Sequence, residues 1–297
     1  MESQRSFHID LAGSISSFEA AALEFELKTK IYKILFRGRG LEFNQFRSYA
    51  PEDDASLIDW KASVRAQRAL VRSYKEEKDL RIVFIIDVSD SMVFGSTEKL
   101  KCEYAAEAAL ALAHLIISSG DKIGFALFNK EVVRYSLPRA GMQQFYYFLN
   151  AISTPEMYSG PSRISDALTF VQQHFPDDIS GAVLISDFLS VDEGFGEVAR
   201  FLSSRCETMA LMIKDPRDVN LPDTNTEVVI QDPTSGEQLL VNPRVARFQY
   251  EYFALQQEQR VLQTLSHAQI DTVSLRTSTP FATPLALFMK GRVRTRA

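Results

Sequence analysis

Cysteine is nearly missing from this chain. Cys102 and Cys206 are the only two in 297 residues, too few for a four-thiolate zinc site and too far apart for a disulfide framework. Histidine is scarce as well: His8, His114, His174 and His267 stand far apart with no Glu-x-x-His pairing, so structural or surface roles are expected of them. Long apolar runs are also lacking. The longest, "AALALAHLII", has ten residues, against the roughly 20 that a bilayer-crossing helix needs, and predicts a buried helix. The opening "MESQRSFHIDLAGSISSF" lacks the basic start and apolar block of a secretory signal, which with the missing disulfides predicts a cytoplasmic protein. No Gly-Lys-Ser/Thr phosphate loop occurs, and "GRG" at Gly38 to Gly40 lacks a third glycine and a helix context. Neither ATP hydrolysis nor dinucleotide binding is therefore expected.

What is present is an ordinary globular composition, 45% hydrophobic and 24% charged. The net charge of −5 weighs against phosphate backbones and anionic membranes as partners. It hides an asymmetry, because residues 28–78 hold twelve Lys or Arg against seven Asp or Glu, a local balance of +5. Asp53, Asp54, Asp59, Glu76 and Glu77 lie within that segment and predict internal ion pairing, with Trp60 and Tyr49 as packing anchors.

From Arg81 onward, apolar blocks alternate with helical patterns, the signature of a largely parallel α/β sheet. "RIVFIID", "KIGFALF", "GAVLISD", "ETMALMI" and "DTVSLRTS" read as strands. "EVVRYSL" follows "KIGFALF" after only two residues, which predicts an antiparallel hairpin. A long helix is expected after hydroxyl caps at Ser96 and Thr97, ending at Gly120, and another is expected to start at Ser162. "DPRDVNLPDTNTEVVIQDPTSGEQLLVN" reads as a surface elaboration with a short hairpin around Thr234 to Gly236. The tail "KGRVRTRA" predicts a solvated, fraying terminus.

The chemistry gathers at "VFIIDVSDSM". Ligands of open α/β sheets collect at the carboxyl ends of strands, and Asp87 and Asp187 each close an apolar run. Ser89 and Ser91 follow Asp87 at alternate positions, so their side chains can point to one place. Carboxylate and hydroxyl oxygens are hard ligands, suited to Mg²⁺ or Mn²⁺. Neutral hydroxyls cancel little of a dication's charge, and one open position would attract a partner's Glu or Asp. Asp90, between the serines, is expected to be solvated.

Asp87-x-Ser89-x-Ser91, followed by Ser162 in "SGPSRISDAL" and Asp187 in "VLISD", resembles the metal-ion-dependent adhesion site of von Willebrand factor A domains. Ser162 stands where that family usually has Thr. Upstream, Phe43, Arg47, Tyr49, Asp53, Asp54, Asp59, Trp60, Lys61, Arg65 and Glu77 are similar to the signature of the bacterial domain-of-unknown-function-58 family, with Glu52 where a glycine is common. Those proteins carry von Willebrand A-type domains and are often encoded beside MoxR-type AAA+ ATPases. The resemblance implies a doubly wound, mostly parallel six-stranded α/β sheet with one antiparallel edge strand. It implies an N-terminal extension at 1–80 packed on it (signature 37–79), a von Willebrand A-type domain at 81–290 and a basic tail at 291–297.

The function expected is a non-enzymatic, metal-dependent protein-binding adaptor working with a MoxR-type ATPase or its client in complex assembly or maturation. Its metal residues would be Asp87, Ser89, Ser91, Ser162 and Asp187, with Asp90, Gly160 and Arg163 on the partner-binding rim. Two alternatives stand beside it. One is a Mg²⁺-dependent phosphohydrolase using Asp87, weakened because Ser89 occupies the place of its usual general acid. The other is a nucleic-acid binder using the basic segment 28–78.

Overall fold

The computed structural model describes residues 7–25, 43–49, 59–74, 79–231 and 236–296. Its centre is β3 (Arg81–Asp87), buried on both faces along almost its whole length. β3 pairs in parallel with β4 (Lys122–Phe128) on one side and β6 (Gly181–Ser186) on the other. β7 (Glu207–Lys214) and β10 (Asp271–Arg276) extend the parallel side, and β5 (Val132–Arg139) closes the other edge antiparallel to β4. The order is β10-β7-β6-β3-β4-β5, the six-stranded sheet with one antiparallel edge strand that was expected. Gly124 makes the hairpin possible, because a Cβ there would lie 2.8 Å from the Ser136 carbonyl oxygen.

Strand alternation divides the core into two layers. Ile82, Phe84 and Ile86 face α1 (Leu11–Glu24), α3 (Lys101–Ser118), α4 (Met142–Ile152) and α8 (Ala282–Arg296). Val83 and Ile85 face α5 (Ile164–His174), α6 (Phe195–Arg205) and the second half of α7 (Pro243–His267). Six of the buried residues of α3 are alanines, which let this helix lie close to the sheet. α1 inserts Phe18 against Phe281, and its leading segment is tied down by backbone donors: His8 N to Glu103 at 2.6 Å and Asp10 N to Glu107 at 2.8 Å.

Within residues 43–74, β1 (Phe43–Ser48) and β2 (Leu70–Tyr74) form an antiparallel ladder that the sequence did not announce. Between them lies α2 (Trp60–Ala66), capped by Asp59, which accepts from Ala62 N at 3.0 Å. Asp53, Asp54 and Glu77, together with Glu52 and Glu76, lie outside the described residues. β8 (Val228–Gln231) and β9 (Gln238–Val241) form the short hairpin foreseen in the elaboration.

Four expectations are corrected. Trp60 is no packing anchor: it is 68% exposed, because the one buried residue of its short helix is Ser63, on a different face. The helix after β3 starts at Lys101, not at the Ser96 and Thr97 hydroxyls. Glu103 reaches back to Leu100 N at 2.9 Å and caps it, while the Ser96 hydroxyl is spent on Asp215 at 2.5 Å. α5 starts at Ile164, two residues past Ser162. The basic tail is helical through Arg296, as the last part of α8, where Arg292 is 4% exposed and paired with Asp271 at 2.7 Å.

Cys102 and Cys206 are buried free thiols. Among the described residues, no helix is long and apolar enough to cross a membrane.

Candidate metal centre

β3 and β6 are neighbours, so their carboxyl ends bring Asp87 and the Ser186–Asp187 pair together although 99 positions separate Asp87 from Ser186. Asp87 is fully buried and every oxygen is engaged. Oδ1 accepts from Ser89 N at 2.9 Å, and Oδ2 accepts from the Ser162 hydroxyl at 2.8 Å and the Ser186 hydroxyl at 2.7 Å. An oxygen so occupied is poorly placed for nucleophilic attack, which counts against the phosphohydrolase reading.

The loop after Asp87 is pinned at both ends. Val88 N donates to Phe128 O at 2.7 Å, Ser159 N to Val88 O at 3.0 Å, and Met92 of the short 3₁₀ turn Asp90–Val93 is buried. Asp90 is not solvated as expected. Its carboxylate accepts from Gly160 N at 2.8 Å while its own N–H donates to Gly160 O at 2.9 Å, clipping two loops together. Gly160 takes φ +75, a backbone state that side chains resist, and so turns the chain to deliver Ser162. Arg163 is exposed beside it and pairs with Asp166 at 2.8 Å.

Ser89 and Ser91 hydroxyls lie 3.2 Å apart. Ser89 N and the Ser162 hydroxyl meet at Asp87, Ser91 lies beside Ser89, and Asp187 follows the Ser186 that also bonds Asp87, so the five residues singled out from the sequence gather at one place. Asp187 Oδ1 accepts from Leu189 N at 3.0 Å. Phe188, between them, holds φ +52, a strained value for a bulky residue. Its N–H bonds Ser186 Oγ at 3.0 Å and its buried ring packs on Phe195.

Two residues of the cluster escaped sequence reading. Ser186 is one. Lys101 is the other: its ammonium, 1% exposed, donates to Asp187 Oδ2 at 2.7 Å and to both Asp218 oxygens at 3.1 and 3.2 Å. The signal available was a lysine heading the helix that contains the longest apolar run of the sequence.

Environment drives the two acids apart. Burial, reinforced by the charge of Asp187, pushes the Asp87 carboxyl up to about 6 against the hydrogen bonds from Ser89 and Ser186. Burial also works upward on Asp187, but the Lys101 ammonium, Leu189 N–H and Ser91 hydroxyl outweigh it and hold that carboxyl below its ordinary value. Burial works downward on Lys101, and Asp187 and Asp218 reverse it.

Do these residues fit a hard dication? Among the described residues no three His, Cys, Asp or Glu side chains converge as a metal cage. The oxygens here are two carboxylates and hydroxyls. Ser162 gives its proton to Asp87, which leaves its lone pairs available to a cation. The donor set is that of Mg²⁺ or Mn²⁺, and it fits.

The profile of the family described as "Protein of unknown function DUF58" matches residues 45–262. The chain belongs to the DUF58 family. Uncharacterized proteins of Mycobacterium tuberculosis (strain H37Rv) and Mycobacterium bovis are each 28% identical to it over 298 aligned positions, covering 96% of this chain and 93% of theirs. Among solved structures, the conserved hypothetical protein BatB of Bacteroides thetaiotaomicron superposes with a TM-score of 0.50 at 15% identity, covering 72% of this chain and 99% of that one. The SpRpn10 VWA domain superposes with a TM-score of 0.42 at 14% identity, covering 70% of this chain and 94% of that one. This DUF58 chain has the mostly parallel six-stranded α/β sheet with one antiparallel edge strand that was expected, a fold it shares with BatB.

Proposed function

We propose that this protein is a non-enzymatic, cytoplasmic adaptor that binds a protein partner through a divalent cation. Ser89, Ser91 and Ser162 would hold Mg²⁺ or Mn²⁺ directly, while Asp87 and Asp187 would hold the cation's waters and orient the hydroxyls. When bound, the cation supplies an unsatisfied positive charge that accepts a carboxylate from a partner's Glu or Asp. Asp90, Gly160 and Arg163 form the rim that such a partner would meet. The partner class we assign is a MoxR-type AAA+ ATPase or its client, on the strength of the family resemblance.

The observation that carries the reading is the convergence on Asp87: Ser89 N and the Ser162 hydroxyl, 75 positions from Asp87, bond the same buried carboxylate. A hydroxyl whose proton is already taken by a carboxylate is prepared to be a neutral ligand. Such a layout would be an uneconomical way to make a turn, because it buries two acids that a turn does not need.

The test is calorimetric titration of Mg²⁺ and Mn²⁺, followed by capture of a purified MoxR-type ATPase with cation or with chelator. The adaptor reading expects cation uptake in the wild type, loss of uptake in Ser89→Ala, and capture that chelator abolishes. Capture that is equal with and without chelator would refute metal bridging. Turnover of phosphoesters that disappears in Asp87→Asn would replace the adaptor with an enzyme.

A further inference from the structure

Lys101, like Ser186, has no place among the ligands assigned above, but it brings a positive charge. Its ammonium is buried, faces the Phe94 ring at 5.7 Å, and is shared between two carboxylates brought from 86 and 117 positions away. On Asp187 it occupies Oδ2; Oδ1 is held by Leu189 N. On Asp218 it reaches both oxygens. Asp218 is itself fixed in the 3₁₀ turn Pro216–Asp218, where Oδ2 accepts from Asp215 N at 2.8 Å.

A dication drawn to Asp87 and Asp187 would meet this resident positive charge in a site nearly closed to water. Like charges repel strongly where the dielectric is low, so both cannot lean on Asp187 at once. The second carboxylate gives the ammonium somewhere to go. We propose that Lys101 is a built-in competitor for the cation: ammonium and dication contend for Asp187, Asp218 is the seat to which the ammonium withdraws, and this exchange sets the metal affinity. The inference rests on the metal-binding reading above and adds to it a residue that tunes occupancy. Its consequence is a site that fills only at elevated cation concentration or when a partner's carboxylate adds its own attraction.

The experiment is Mn²⁺ titration of the full chain, followed by electron paramagnetic resonance of free Mn²⁺ at fixed ionic strength. It compares wild type, Lys101→Met and Asp218→Asn, each first checked for folding by near-ultraviolet circular dichroism. Competition expects Lys101→Met to bind Mn²⁺ at least roughly tenfold more tightly, because the opposing charge is gone. Asp218→Asn keeps the ammonium but weakens its alternative seat, and should bind roughly tenfold more weakly. Uptake by Lys101→Met alone would also support the inference. Equal or weaker binding by a folded Lys101→Met would overturn it while leaving the metal site intact. If Lys101→Met does not fold, Asp218→Asn decides: weakened binding supports competition, and unchanged or tighter binding overturns it. Failure of all three proteins to take up Mn²⁺ would sink the metal reading and this inference with it.

Discussion

The Ser162 hydroxyl donates to Asp87 Oδ2 at 2.8 Å, joining the loop before α5 to the end of β3. The bond ties a helix entrance to the central strand and sets which way the hydroxyl lone pairs face.

Ser162→Ala removes one donor from a buried carboxylate and should cost about 1–3 kcal/mol of stability. Ser162→Thr keeps the hydroxyl and should recover most of that loss. Urea denaturation of the two variants, with Mn²⁺ titration beside it, separates the bond from the side-chain volume. An alanine variant as stable as wild type would show that the bond contributes nothing.

Asp215 gives the pH dependence. Burial raises its carboxyl, but the Ser96 hydroxyl and N–H, Arg217 N–H and Thr277 hydroxyl outweigh burial and hold it below the ordinary carboxylate value. A depressed carboxyl stabilises the fold above its unfolded value of about 4, and that contribution fades as pH falls through the folded value. Stability measured from pH 6 down to pH 2 should therefore fall less steeply in Asp215→Asn than in wild type. Parallel curves would refute the assignment.

The thiols should be inert in the native state. Burial pushes Cys102 up to about 12 and Cys206 up to about 11, so almost no thiolate exists near neutral pH. A chromogenic disulfide reagent at pH 8 should titrate neither cysteine until denaturant is added, then both. Rapid labelling of the folded protein would contradict their burial.

Phe18 tests whether α1 is integral to the core. It is fully buried against Phe281, and Phe18→Ala should cost about 3–5 kcal/mol. Hydrogen exchange in residues 11–24 should speed up in the variant. A loss below about 1 kcal/mol would make α1 a dispensable appendage.

Much of this was legible in the sequence. β3 and β6 could be read because a strand buried on both faces must be apolar throughout, and Asp87, Ser89 and Ser91 because their spacing is local. Asp187 could be read as the acid that closes a buried strand, whereas Ser162 came from the family resemblance, and the fold then brought its hydroxyl to Asp87. Lys101 was not legible, since what makes a buried lysine tolerable is a pair of acids remote in the chain. The start of α3 misled for a related reason: Ser96 and Thr97 look like caps, yet Ser96 serves Asp215, 119 positions away. β1 and β2 went unseen because their segment mixes charges, aromatics and turn residues without a period. Arg292 looked like tail chemistry until its partners proved to be the first residues of two strands.

That last residue carries a mechanical meaning. Arg292 pairs with Asp271 at 2.7 Å and Glu207 at 3.5 Å, where β10 and β7 begin, at the rim of the sheet farthest from Asp87. It works as a bolt through the end of α8. Sliding this helix lengthwise would shear two ion pairs and strand a guanidinium in the dry interior, so the rod is anchored at the rear of the sheet.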